Sequence, residues 1–248
     1  MRKIQNKYYG WLPDIPDQRD YLYRAIKPVI RLPKKVDLRL FCSLVENQGS
    51  LGSCTANALA GNIEFLDNKS DSLYQDVSCL FIYYNERVLE HSADFDSGAS
   101  LRDGIKTLRK KGYCWEKTWP YLIERFAQKP PKKCYLEAKS HCIQSYHRLA
   151  NISEMLTCLA EGYPFVFGFA VYESFESQKV ARTGVVHLPS KRERMIGGHA
   201  VMAIGFNKKD KRFLVRNSWG EDWGQKGCFT MPYKYLETLA QDFWTIRK

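Results

Sequence analysis

Three side chains, widely separated in the chain, have the types and settings that thiol chemistry needs. Cys54 lies in the glycine- and serine-rich stretch QGSLGSCTAN, just before ANALAGNIEFLDN, whose apolar residues at 56, 59, 63 and 66 fall on one helical face. That places the thiol at a helix N-terminus, where the positive end of the helix dipole favours the thiolate, the reactive form. A cysteine nucleophile also needs a base within hydrogen-bond reach and a group to orient that base. Of the five histidines, His199 is the best placed: it opens the strand-like run GGHAVMAIGF behind two glycines that permit close approach of other chains. His91, His141, His147 and His187 stand in polar or loop-like settings. Asn217, in RNSWGEDWG, could share the imidazole proton and hold the ring.

The elements that must position these residues are legible in outline. VSCLFIYYNERVLE, SLRDGIKTLRKKG and ISEMLTCLAEG add three further helices; Ser100 and Asp103 form a near capping box, and Gly112 and Gly162 mark two helix ends. From Pro164 onward the pattern changes to short runs rich in Val, Ile and Phe, FVFGFAV, GGHAVMAIGF, FLVRNSW and GCFTMP, separated by turns such as NKKDK and GEDWGQKG. An α+β architecture of two lobes is expected, helical over about 32–150 and β-rich over 151–248. Residues 1–31 read as an arm, because Pro13 and Pro16 disfavour helix or central strand while Tyr8, Tyr9, Trp11, Tyr21 and Tyr23 offer aromatic anchors. The segment is too short for a separate domain, so a structural or partly covering arm is favoured over an inhibitory pro-segment.

QGSLGSC, GGHAV and NSWGEDWG resemble the motifs of papain-like cysteine peptidases, the group containing papain and the cathepsins, in the same chain order. LPKKVDLR resembles the start of that family's mature domain, so the likeness runs from about Leu32 to the end. His199 follows Cys54 by 145 residues and Asn217 follows His199 by 18, within what the family allows. The resemblance implies a papain-like two-lobe fold with the cleft between lobes. It also implies hydrolysis of peptide bonds through Cys54 as thiolate, His199 as imidazolium and Asn217 as orienting group. Gln48 would be an oxyanion donor beside the Cys54 N–H, and Trp219 a shield over the His–Asn hydrogen bond. The chain departs from the family pattern at Leu51, where a cysteine is usual, and at Thr55, where a tryptophan is usual, so the primed side of the cleft is expected to differ in shape. DSGASLRDG stands where the family has its substrate-docking segment, with Gly98 as a backbone contact to substrate.

Other function classes are weaker. An acyl or amide transferase could use the same Cys–His pair, and a catalytically silent peptide-binding homologue would keep the fold, but the intact set of Gln48, Cys54, His199 and Asn217 favours the peptidase. Cys134, His141, Cys142 and His147 match no common zinc spacing, so no metal and no cofactor are expected. Trp219 and Trp223 would also serve as core aromatics.

Composition agrees with an enzyme of this kind. The 248 residues are 44% hydrophobic and 14% aromatic, enough for a folded core and unlike a disordered chain. The net charge of +11 comes from short basic runs beside loop-like residues, with no nucleic-acid-binding signature. No window approaches the roughly 18 apolar residues of a membrane span, and the N-terminus has no apolar segment of signal-peptide type. Eight scattered cysteines and the missing partner at Leu51 favour free thiols and a reducing, intracellular setting. A monomer acting on peptide or protein substrates is expected.

Overall fold

The computed structural model describes residues 9–23, 31–70 and 74–248; Tyr8 lies outside them. Helices α1 (Cys54–Lys69), α2 (Cys79–Leu89) and α3 (Leu101–Lys110) follow the short strand β1 (Lys35–Asp37) and pack together as the helical lobe. α1 is buried from Cys54 to Asp67, and small residues at 56, 58, 60 and 61 let its neighbours close in. Gly61 makes room for the guanidinium of Arg216, whose Nε would stand 3.2 Å from a β-carbon there. The caps explain where the other helices start. Ser78 Oγ accepts from Phe81 N at 3.1 Å, and Ser100 Oγ accepts from Asp103 N at 3.3 Å.

After α4 (Lys132–Ala138), β2 (Ser145–Arg148) and α5 (Ile152–Ala160) come β3 (Phe165–Tyr172), α6 (Gln178–Thr183), β4 (Met195–Asn207), β5 (Arg212–Arg216), β6 (Cys228–Pro232), α7 (Tyr233–Leu239) and β7 (Ala240–Arg247). The antiparallel sheet runs β2-β7-β3-β4-β5-β6, with β1 also on β4. The four helices and four strands expected from periodicity are all present. Sheet membership is broader than expected, since β1 and β2 come from the segment of about 32–150 read as helical. Strand β4 is the spine, paired with β3 on one side and β5 on the other; a register shift at Ala203/Gly205 precedes the three residues, Gly205–Asn207, that receive β1. Helix α1 packs on β4, which brings the two lobes into contact at the start of the helix. None of the helices among the described residues is long and apolar enough to cross a membrane.

Residues 9–23 are the described part of the expected arm, and residues 14–23 fasten α3 to the sheet. Asp14 accepts from Arg102 N at 3.1 Å and Trp244 Nε1 at 2.9 Å, while its own N–H donates to Asp242 Oδ2 at 2.8 Å. Asp20 pairs with Arg102 at 2.5 Å and Arg148 at 2.8 Å, and Arg148 reaches Asp242 at 3.3 Å. Tyr21 and Tyr23 exchange backbone hydrogen bonds with Arg148. Asp20 and Asp242 thus share the guanidinium groups of Arg102 and Arg148, while Asp14 is held by a backbone N–H and the Trp244 indole. Of the anchors, Trp11 and Tyr23 are buried, and the exposed Tyr21 leans edge-on against Tyr146.

Burial pushes the Asp242 carboxyl up to about 6, with Asp14 adding to the rise and Arg148 opposing it. The native state therefore keeps a proton that the unfolded chain has released between about pH 4 and 6, so this group's contribution to stability falls as pH rises through that window. Asp242→Asn keeps an acceptor for Asp14 N–H and suits the left-handed backbone at this position, φ 57°. Its melting temperature relative to the parent should rise by roughly 5 °C between pH 4 and 7, for a penalty on the order of 2 kcal/mol. Thermal melts giving a pH-independent difference would remove the buried-charge explanation.

Candidate active site

Cys54 is the first residue of α1, and its Sγ meets backbone donors from both lobes and from the arm. The N–H of Ala200, next to His199 on β4, lies 3.4 Å away, and the N–H of Gly10 comes from the arm. His199 faces Phe169 across the β3–β4 ladder, and its Nε2 bonds Asn217 Oδ1 at 2.8 Å. Asn217 follows β5 directly, and its Oδ1 also accepts from Ser218 N at 2.9 Å, which fixes the amide. The Trp219 ring stacks on the imidazole with centroids 4.9 Å apart and planes 25° apart. Cys54, His199, Asn217 and Trp219 are therefore brought together.

Gln48 joins them through the loop ahead of α1. Its Nε2 donates to Leu51 O at 2.9 Å, its Oε1 accepts from Ser218 Oγ at 2.6 Å, and its backbone N–H donates to Ser218 O at 2.9 Å. Ser218 thus ties Gln48 to Asn217, a link with no sequence signal beyond its position between Asn217 and Trp219. Arg216 holds the approach to this loop by donating to the carbonyls of Ser43 and Leu44, each at 2.5 Å. Asp96 holds its far end, accepting from Gly52 N at 3.0 Å and from Tyr83 Oη at 2.5 Å.

The Thr55 side chain, one residue along α1, is fully buried and donates to Glu86 Oε2 at 2.8 Å. Burial raises the Glu86 carboxyl well above its usual range. Burial pushes the Cys54 thiol up to about 11, against the opposing pull of the Ala200, Gly10 and Thr55 N–H groups. Gly98 stands beside the cleft at φ 73°, but its N–H goes to Tyr83 Oη at 3.1 Å. The backbone groups that pair with the arm belong to Ala99, whose N–H donates to Gly10 O at 2.7 Å and whose O accepts from Leu12 N at 3.0 Å. Gly98 contributes space instead, since a β-carbon there would lie 2.1 Å from Gly10 O.

The inner arm fills the trough between the lobes. Tyr9 sits edge-on to His199 with centroids 6.0 Å apart and donates to Glu176; Gly10 lies over Cys54; Trp11 N donates to Gly198 O at 3.1 Å. Cys54 and His199 are both inaccessible to solvent as a result. His141 stacks on Tyr113 and packs against Trp115, and among the described residues no cluster of metal-ligating side chains occurs. All eight cysteines are free thiols.

Comparison with known proteins agrees with this arrangement. The family described as papain family cysteine protease matches residues 32–239. A peptidase C1-like protein of Acanthamoeba polyphaga mimivirus is 44% identical, the match covering 98% of this chain and 88% of that one. The structure of xylellain, a cysteine protease from Xylella fastidiosa, superposes with a TM-score of 0.91 at 42% identity over 100% of this chain and 98% of the other. Digestive procathepsin L2 of Tenebrio molitor shares the fold at a TM-score of 0.77 and 20% identity, over 98% of this chain and 78% of that one. The chain is a member of the papain family of cysteine proteases, and its activity is that of a cysteine peptidase.

Proposed function

We propose that the peptidase works through Cys54, His199 and Asn217, with Gln48 as oxyanion donor, and that residues 1–31 form an arm on a peptidase domain spanning 32–248. The observation that carries the reading is the convergence of Cys54 and His199 at the contact of α1 with β4, with the imidazole already held by Asn217 at 2.8 Å. With Nε2 committed to Asn217, Nδ1 is the nitrogen that exchanges a proton with the thiol. Once the inner arm leaves, water and the imidazole relieve the burial that keeps the thiol protonated, and the helix N-terminus then favours the thiolate–imidazolium pair.

The thiolate attacks the peptide carbonyl carbon, and negative charge gathers on the carbonyl oxygen. The second N–H of Gln48 Nε2 and the backbone N–H of Cys54 receive it, donors worth roughly 3 kcal/mol each in comparable sites. His199 passes its proton to the departing amine, leaving a thioester on Cys54. It then takes a proton from water, whose oxygen attacks the thioester and restores the thiol. Ser218 keeps the Gln48 amide aimed, and Trp219 excludes water from the His199–Asn217 bond.

Cys54→Ala should abolish hydrolysis and labelling by epoxysuccinyl compounds while leaving the melting temperature near that of the parent. Labelling that persists would mean that another thiol is the nucleophile. Gln48→Ala should lower kcat by roughly 10²–10³ with little change in KM, because its amide binds charge present mainly in the transition state; steady-state kinetics showing a rise in KM alone would exclude the oxyanion role. Deleting residues 1–12 should raise activity on a small fluorogenic peptide many-fold, and deleting 1–31 should lower the melting temperature further than the shorter deletion does, since it also removes Asp14 and Asp20. Equal activity of the parent and the shorter truncation would show that the arm does not hold the enzyme back.

A further inference from the structure

Two thiols that the catalytic reading does not use stand against each other on the helical lobe. Cys114 follows the end of α3, and Cys134 lies in α4, 20 residues further along the chain. Both are fully buried, and their side chains meet sulfur to sulfur within hydrogen-bond reach. The Cys134 thiol also faces Thr118 O at 4.0 Å, a weak sulfur contact. The backbone holds each residue in place: Cys114 O accepts from Ser78 N at 2.9 Å, and Cys134 N donates to Pro131 O at 2.9 Å. A buried cysteine packed as a small hydrophobe needs no second thiol beside it, whereas two facing thiols on fixed backbones are what a disulfide requires.

The segment between them supports the loop ahead of α1. Tyr121 Oη donates to Gln48 O at 3.0 Å and meets Ser53 Oγ at 2.5 Å, while Ile123 fills the space beside Gly49, where a β-carbon would lie 2.9 Å from its Cδ1. Ser78 Oγ, at the start of α2, holds the same segment by donating to Trp119 O at 2.6 Å. We propose that Cys114 and Cys134 form a reversible disulfide with a low-molecular-weight disulfide such as glutathione disulfide as oxidant, and that the bond closes residues 115–133 into a brace behind Gln48. Cys134 is the first to react, because α4 has only seven residues and its Lys132, Lys133 and Leu136 are exposed, so this helix can lift from the lobe. Burial raises its thiol, and the neighbouring Lys133 opposes that rise. The Cys134 thiolate attacks one sulfur of glutathione disulfide and displaces glutathione; the Cys114 thiolate then attacks the Cys134 sulfur and releases the second glutathione. Two thiol protons and two electrons pass to the oxidant, which leaves as two molecules of glutathione. The disulfide itself is independent of which group attacks the substrate; its bearing on catalysis rests on Gln48 being the oxyanion donor.

The test uses the full chain carrying Cys54→Ala, which keeps the thiol over which the arm lies out of the chemistry. The chain is held with glutathione disulfide a few degrees below its melting temperature, then digested with trypsin without reduction. Mass mapping should find GYCWEK, residues 112–117, joined to CYLEAK, residues 134–139, as the main linked pair. The melting temperature should rise by roughly 5–10 °C, as expected for closing a loop of this length, and return on treatment with dithiothreitol. Amide hydrogen exchange over 119–126 should slow several-fold in the oxidised chain, and an unchanged rate there would remove the brace. Links made instead by Cys42 or Cys142, glutathione left as a stable adduct on Cys114 or Cys134, or both thiols unmodified would overturn the disulfide. Cys134→Ala in the same background should lose the linked peptide and the gain in melting temperature together, and a gain that persists would also overturn it. Should that variant not fold, Cys114→Ala gives the same reading, and the mapping of the Cys54→Ala chain stands without either.

Discussion

The contact between the first turn of α1 and strand β4 is the constraint on which the rest of the structure depends. It sets the Cys54 sulfur 3.4 Å from the Ala200 N–H, one residue from His199, so a helix end and a strand from different lobes share one point. Small side chains along α1 and the space at Gly61 allow the helix to sit that close. Any outward shift of α1 would separate the thiol from the imidazole while leaving each lobe intact.

Around this contact, polar groups are held by other polar groups of the chain. Ser218 links Gln48 to the Asn217 turn, Arg216 ties the preceding loop to β5, and Asp96 secures Gly52. Such a buried network is rigid when its members are satisfied and costly when one is lost. The pattern suits a site that must hold donors in place before charge develops. Thr55 and Glu86 extend it into the helical lobe through a buried hydroxyl–carboxyl hydrogen bond.

Much of this was legible in the sequence, for identifiable reasons. Cys54, His199, Asn217 and Gln48 lie in short motifs with fixed order, and α1, α2, α3 and α5 announce themselves by caps and apolar spacing. β7 was not read, because AQDFWTIR mixes charged and apolar residues and its strand identity comes from pairing with β2 and β3. α4, only seven residues long behind Pro131, lacks an apolar stripe. The direction of Thr55 and the bond from Ser218 to Gln48 depend on contacts between distant segments, which no local pattern encodes. The arm was ambiguous because its two parts do different things: prolines and aromatics mark it as extended, but only tertiary contacts separate the anchored residues from those over the thiol.

The division of the arm has a consequence for how the enzyme meets its substrates. Under the proposed function, with residues 14–23 fixed to α3 and the sheet, the inner residues would act as a tethered competitor whose local concentration is on the order of millimolar and does not fall on dilution. A free peptide would then compete with a ligand that never diffuses away, and its apparent affinity would be its intrinsic affinity multiplied by the fraction of time the trough is open. Two chains with identical catalytic groups but different grip at Tyr9 and Trp11 would then differ in the substrate concentration at which they respond, and the arm would act as a threshold on peptide supply.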